Sequence, residues 1–260
     1  MSDTTRIGVR PVRFTDDVKP MQAFLELLGL RPRVEAVQGG WVDMVCGAGM
    51  VALHSAASSD TGGVAGQTRL SFEADDVCAL AARLEAAGIA DVALYDESYG
   101  RVLVCTDPLG DELHIDERSE DLYGYVLHPM APPSSLRVSP VRFTDPRGPY
   151  GGFLESVGLS RHGIPDDWSA AYVAADGDHG LVGLHRVPDE AGPGGGIPGV
   201  VAGVMSVKLT FESSESAEEL ATRLSARGFA AKCRQESFGS FVQVTDPDGQ
   251  LVEVHEAVQP

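Results

Sequence analysis

Two copies of one short stretch hold many of the residues able to do chemistry. Thr106 to Glu117 reads Thr-Asp-Pro-Leu-Gly-Asp-Glu-Leu-His-Ile-Asp-Glu, and Thr245 to Glu256 reads Thr-Asp-Pro-Asp-Gly-Gln-Leu-Val-Glu-Val-His-Glu. Asp-Pro-x-Gly is turn chemistry, because proline presets φ at the second position and glycine accepts a positive φ. The residues after each turn alternate. Leu113 and Ile115, or Val252 and Val254, take one face of a strand, while His114 and Asp116, or Glu253 and His255, take the other. Imidazole and carboxylate on one face can move a proton, or bind a divalent cation if about three or four donors converge. Two more histidines, His54 and His185, end matched apolar strands, and two cations, Arg69 and Lys208, open matched segments.

These pairs belong to a longer self-similarity. Val9 to Asp16 returns as Val138 to Asp145, Phe24 to Leu30 as Phe153 to Leu159, and Leu80 to Leu84 with Gly88 as Leu220 to Leu224 with Gly228. A period of about 130 residues is a tandem duplication, far longer than a solenoid repeat. The expected division is residues 1–117, a linker at 118–136 rich in proline, and residues 137–260. Inside each half the order strand, helix, three strands occurs twice. The first half predicts helices over 19–28, stopped by Gly29, and over 75–87, capped by Asp75 or Asp76 and closed by Gly88. The fold class is therefore α+β with four βαβββ units. The loops 55–67 and 188–204 join the paired units, and the second, with Gly-Pro-Gly-Gly-Gly-Ile-Pro-Gly, is either a lid or a plain crossover.

A net charge of −18, from 38 acidic and 20 basic residues, argues against nucleic acid and anionic membranes and favours neutral or cationic small molecules. Four cysteines at unrelated positions, with no CxxC spacing, read as reduced core thiols. With no signal core and no membrane-length apolar run, the expected location is cytoplasmic. There is no Gly-x-Ser-x-Gly elbow, dinucleotide loop or P-loop, which disfavours covalent catalysis and nucleotide cofactors.

The strand-helix-Gly-Leu units, the apolar strands ending in histidine and the Thr-Asp-Pro-x-Gly hairpins resemble the vicinal oxygen chelate superfamily, which includes glyoxalase I, extradiol dioxygenases and bleomycin-resistance proteins. The resemblance covers nearly the whole chain, once per half. It implies two tandem glyoxalase-like domains with curved mixed sheets, helices on the convex face and ligand on the concave face. It also implies metal ligands on the first and last strands of the units. Carried over, the first-strand places fall at Val9, Arg69, Val138 and Lys208, and the last-strand places near Ala52, His114, Gly183 and Glu253. Only His114 and Glu253 among these can bind a metal. Arg69 beside His114 and Asp116, and Lys208 beside Glu253 and His255, read as ion pairs filling former metal sites, and a cation there repels a divalent ion. A displaced site, from His114 with His54 and Asp116 or from Glu253 with His255 and His185, is the alternative.

Counting alternation from Val9 and Val138 turns Arg13 and Arg142 into the bowl, where the resemblance to glyoxalases, which hold a substrate carboxylate with a first-strand arginine, implies anion recognition; ion pairs with Asp16 and Asp145 are the other reading. Ser71 and Thr210 follow on the same face, and Trp41, Trp168, Tyr99 and Phe238 are candidate aromatic walls or plain packing residues. The favoured function is small-molecule binding without a complete metal site, by a monomer with fused pseudo-dimeric halves. The alternative is a lyase, isomerase or ring-cleaving dioxygenase using Fe, Mn, Ni or Zn. Whether units pair within or between halves stays open at this level.

Overall fold

Each of four segments folds as strand, helix and three further strands, and local signals account for most helix ends. The computed structural model describes residues 5–119, 123–130, 132, 134–174, 179–186 and 207–257. The expected helix over 19–28 forms as Val18–Leu28: the Asp17 carboxylate accepts from the Lys19 N–H, and Gly29 closes it in the left-handed region at φ 117°. The second, Val77–Ala86, is capped by Asp76 through the Ala79 N–H, and the fourth, Ala217–Ser225, by Ser216 through the Glu219 N–H. The third, Tyr150–Val157, follows Pro149 without a side-chain cap and ends on Gly158 at φ 116°. Phe24, Leu25, Leu80, Leu84, Phe153, Leu154, Leu220 and Leu224 are buried on these helices and join one hydrophobic core with the outward strand residues.

The first strand of each half bends at a proline and serves two sheets. Ile7–Val9 pairs antiparallel with Ser71–Ala74, in a sheet continued by Glu112–Glu117, Gly100–Thr106 and Ala90–Glu97. Beyond Pro11, Val12–Thr15 pairs parallel with Met50–Ser55 and antiparallel with Thr68–Arg69. The first two units thus curve around one concavity, so units pair within a half. The second half repeats this plan, with Leu136–Val138 on Thr210–Ser213 and Val141–Phe143 on Val207–Lys208. The expected linker contributes a strand of its own: Tyr125–Leu127 pairs with Arg31–Ala36 and extends the first unit's sheet to six strands. The loop 188–204 lies outside the described residues. No helix among the described residues is long and apolar enough to cross a membrane. All four cysteines are free, but Cys78 and Cys233 are exposed and not core residues.

The halves meet through reciprocal contacts. Arg83 of the second unit donates to the carbonyls of Ser156 (2.9 Å) and Val157 (2.6 Å) at the C-terminus of the third unit's helix, and Arg223 of the fourth donates to Leu27 at the end of the first. A cation on terminal carbonyls satisfies both orphan acceptors and the helix dipole. Backbone bonds between Ala48 and Val138 (2.8 Å) and between Val9 and His179 (2.8 Å) complete the seam. Gly47 belongs there by necessity, since a Cβ on it would stand 2.0 Å from the Ser134 carbonyl oxygen.

Candidate functional site

The concave face of the first half encloses a cavity of about 640 Å³. Its lining fixes the phase of the first strand: Arg10, Val12 and Phe14 face the cavity, whereas Val9 is wholly buried in the core. The alternation counted from Val9 is therefore one residue out of phase, which sends every side chain to the opposite face. This corrects four assignments. Val9 and Val138 are core residues, and Arg13 and Arg142 point away from the bowls. The residues facing inward next to the two valines are Arg10 and Ser139.

Arg13 and Arg142 instead clasp the Asp-Pro-x-Gly turns of the opposite half. Arg13 donates to the Asp246 carboxylate, the Gly66 carbonyl and Thr68 Oγ1 (3.1 Å), with Asp248 at 3.8 Å. Arg142 donates to Asp107 (2.9 Å) and Asp111 (2.5 Å), and Asp107 also accepts from the Tyr150 hydroxyl (2.8 Å). Burial pulls the Arg13 guanidinium below its ordinary range against the opposing pull of Asp246 and Asp248. Neither arginine pairs with Asp16 or Asp145; Asp145 takes Arg186 at 3.0 Å.

The cavity floor is an alternating chain of charge. Asp116 accepts from Arg10 (2.6 Å), Arg10 Nε donates to Asp43 (2.9 Å), Asp43 lies 3.3 Å from Arg33, and Arg33 makes two bonds to Glu73. Burial works against the Arg10 charge, but Asp43, Asp116 and Glu73 outweigh it and raise the guanidinium above its ordinary value. The same chain ties the first unit, which supplies Arg10, Arg33 and Asp43, to the second, which supplies Glu73 and Asp116. Five aromatic rings, Phe14, Trp41, Tyr95, Tyr99 and Tyr125, wall the space above it. Arg10 lies over the Trp41 ring at 5.3 Å, and His54 packs edge-on against Trp41 at 5.3 Å and beside Phe14 at 5.5 Å. Seven carboxylates face three arginines in the lining, so the cavity carries an acidic excess.

The predicted residues of the first half meet only in part. His54, Arg69, His114 and Asp116 all line the cavity. The expected pairing of Arg69 with His114 and Asp116 does not form: Arg69 donates to Thr61 Oγ1 and the Thr61 carbonyl (both 3.1 Å) and lies over Phe14 at 5.0 Å. Asp116 is taken by Arg10, and His114 Nε2 by Glu112 at 2.7 Å. His54 Nδ1 donates to the Ser55 carbonyl at 2.8 Å. Arg10, Arg33, Glu73 and Tyr125 were not singled out from the sequence; the apolar pair Ile7 and Val9 was the signal for the strand's true phase.

In the second half the expected ion pair is present. Lys208 Nζ lies 2.7 Å from Glu253, whose other oxygen accepts from Gln243 (2.9 Å), and His255 stands 3.6 Å away. Burial pushes the Glu253 carboxyl up, but His255 and Lys208 prevail and hold it at about 2. His255 stacks on Phe241 at 5.1 Å, and Phe241 on Phe238 at 5.6 Å. His185 ends its strand exposed at the edge of this group; burial lowers its imidazole below the ordinary value, with Asp166 and Glu253 opposing and His255 and Lys208 adding to the effect.

No protein-family model matches the sequence, and no curated protein matches it significantly. Solved structures do match over nearly the whole chain. A Mn(II)-bound glyoxalase from Novosphingobium aromaticivorans has a TM-score of 0.60 at 17% identity, covering 98% of this chain and 84% of its own. A catechol 2,3-dioxygenase scores 0.57 at 12% identity, covering 97% and 87%. The 2,2',3-trihydroxybiphenyl 1,2-dioxygenase from Sphingomonas wittichii scores 0.56 at 16% identity, covering 98% and 91%. The chain has the vicinal oxygen chelate fold. The glyoxalase among these structures is Mn(II)-bound. With the corrected phase, the places reserved for ligands carry Arg10, Arg69, Ala52 and His114 in the first bowl and Ser139, Lys208, Gly183 and Glu253 in the second. Each set offers a single good donor beside one or two cations, and among the described residues no three His, Cys, Asp or Glu side chains converge. The displaced sets do not assemble either, since Asp116 and Glu253 are engaged by Arg10 and Lys208. These donors do not fit a divalent metal in the manner of the fold's metal-dependent members.

Proposed function

We propose that the protein binds a flat, cationic or polar aromatic small molecule in the concave cavity of its first half, without a metal. The observation that carries this reading is the lining itself: five aromatic rings, an excess of carboxylates over arginines, and guanidinium groups at two of the inherited ligand places. Aromatic walls with a few fixed polar groups are what a small-molecule pocket needs, and the ring faces and carboxylates both attract a cation. The role that follows is sequestering or recognising a metabolite or drug. Within the same reading the protein is cytoplasmic and acts as a monomer, since one chain supplies all four units.

The test is binding of a flat fluorescent cation, acridine orange, in the presence of EDTA, read by fluorescence and by thermal shift. Saturable one-site binding is expected, weakened by Trp41→Ala. At a free ligand concentration of 100 Kd the gain is about 2.7 kcal/mol, or roughly 5–10 °C in Tm for a chain of this size. Elemental analysis of untagged protein gives the opposing outcome. One retained equivalent of Fe, Mn, Ni or Zn, lost in His114→Ala or Glu253→Ala and needed for turnover of a chelating substrate, would replace binding by metal-dependent catalysis.

A further inference from the structure

The duplication lets one bowl be read against the other. The hairpins at the outer edges of the second and fourth units match as Glu97-Ser-Tyr-Gly100 and Glu236-Ser-Phe-Gly239. In the second half the hairpin ring is packed: Phe238 stacks on Phe241 at 5.6 Å and lies 6.1 Å from His255. The register puts Val102 and Asp116 in those two places in the first half, so neither ring is there to receive Tyr99, and its phenol stands in the cavity lining. A second phenol has no counterpart. Tyr125 belongs to the strand that extends the first unit's sheet to six, whereas the matching sheet of the second half has five strands among the described residues. Tyr99 thus reaches the cavity from the second unit and Tyr125 from the edge of the first. Their surroundings coincide: Asp116 and Arg10 act on both phenols, Tyr99 also feels Tyr125, and Arg10 lies over the Trp41 ring at 5.3 Å. Among the described residues neither hydroxyl has a hydrogen-bond partner. Burial pushes the Tyr99 phenol up to about 12, with Asp116 and Glu97 adding to the effect, and burial, Asp43 and Asp116 raise Tyr125 as well. Both hydroxyls therefore stay protonated, as donors, at neutral pH.

Resting on the binding reading above, we infer that the Tyr99 and Tyr125 hydroxyls form a two-donor site for an uncharged acceptor oxygen, and that the preferred ligand is a flat ring system carrying a conjugated carbonyl. Its ring lies against Trp41 and Tyr95, and its carbonyl points between the two phenols. One carbonyl oxygen has two lone pairs and can take both donors. A ring without an acceptor in the same place displaces water from these hydroxyls and returns no hydrogen bond, which costs affinity. An anionic acceptor is opposed by Asp116 and Glu97, whose charges act on Tyr99. The two tyrosines thus determine specificity within the bowl, separating an uncharged oxygen both from a bare ring and from a carboxylate.

Two probes share one bicyclic outline and differ in the acceptor: 1-methyl-2-quinolone carries an uncharged carbonyl, and the 1-methylquinolinium cation carries none. Each is titrated into full-length protein and followed by amide chemical shifts, which resolve millimolar binding. The cation also answers to the carboxylates of the lining, so the quantity read is the quinolone-to-quinolinium affinity ratio, compared between wild type and variants that keep the ring. Tyr99→Phe and Tyr125→Phe should each lower that ratio about three- to tenfold, the worth of one neutral hydrogen bond, and the double variant should lower it further. A ratio that both variants leave within about twofold of wild type overturns the inference, and a ratio that moves in only one of them overturns the two-donor site. So does failure of the quinolone in a wild-type protein that binds acridine orange, with the binding reading left standing. If acridine orange also fails, the binding reading falls first, and the inference with it.

Discussion

Removing Arg142 should loosen the junction between the halves without touching either bowl. Its side chain and that of Asp107 are each only 2% exposed. In Arg142→Met the Asp107 carboxylate stays buried but keeps the Tyr150 hydroxyl and the N–H groups of Leu109 and Asp111 (both 2.9 Å). Breaking a buried pair costs about 3–5 kcal/mol, and the three surviving hydrogen bonds put this case near the lower end, about 3 kcal/mol. For a chain of this length that corresponds to a fall of roughly 6–12 °C in Tm. The assay is urea unfolding, followed by tryptophan fluorescence from Trp41 and Trp168, one in each half, and by far-ultraviolet circular dichroism. The wild type should show coincident transitions, and Arg142→Met should separate them. Adding Asp107→Asn should recover part of the loss, with a coupling of about 1–3 kcal/mol, because the stranded charge is gone. A loss below about 1 kcal/mol, or strictly additive single losses, would refute the clasp as a structural tie.

Two other perturbations test the charge networks in the bowls. Glu253, held at about 2 against an ordinary 4.5, contributes stability above pH 4.5 that is lost as pH falls toward 2, at most about 3 kcal/mol. In Lys208→Met the Glu253 carboxyl should titrate at higher pH and its acid-side contribution should shrink, as a carboxyl titration by NMR would reveal; an unmoved titration would remove Lys208 as a cause. Arg10→Ala strands Asp116, leaves Asp43 to Arg33 alone and should cost about 3 kcal/mol or more. Because stranded carboxylates can take up protons, the loss should be larger at pH 8 than at pH 5 in matched urea titrations, and a pH-independent loss would point to packing alone.

Local signals carried most of the fold. The Asp-Pro-x-Gly turns, the caps at Asp17, Asp76 and Ser216 and the glycines after the helices act within a few residues, so they are legible in sequence. The phase of the first strand was not. Arg13 is charged yet faces the packed side, because Asp246, 233 residues away, receives it there. Judged by neighbours alone, an arginine in an apolar strand belongs to the polar face. Lys208 with Glu253 was readable because the duplication aligned both segments, but Arg69 broke the parallel: its acceptors come from the adjoining loop, which differs between halves. Tyr125 was out of reach for another reason, since nothing in a proline-rich connector signals that three of its residues will extend a sheet bordering the cavity.

The cross-half clasp also bears on how the two bowls can diverge. Each turn that closes one half's last hairpin is the receptor for an arginine from the other half, so neither half carries a complete set of counter-ions. A duplicated gene whose second copy lost its ligand would ordinarily be free to shed that copy. Here the second copy is retained by its back surface, whatever its concave face does. Its concave face can carry the Lys208–Glu253 ion pair while its turn still receives Arg13. Selection can thus act on one face of a half for recognition and on the other for fit to its twin, and substitutions at Arg13 or Arg142 are answerable only in the opposite copy.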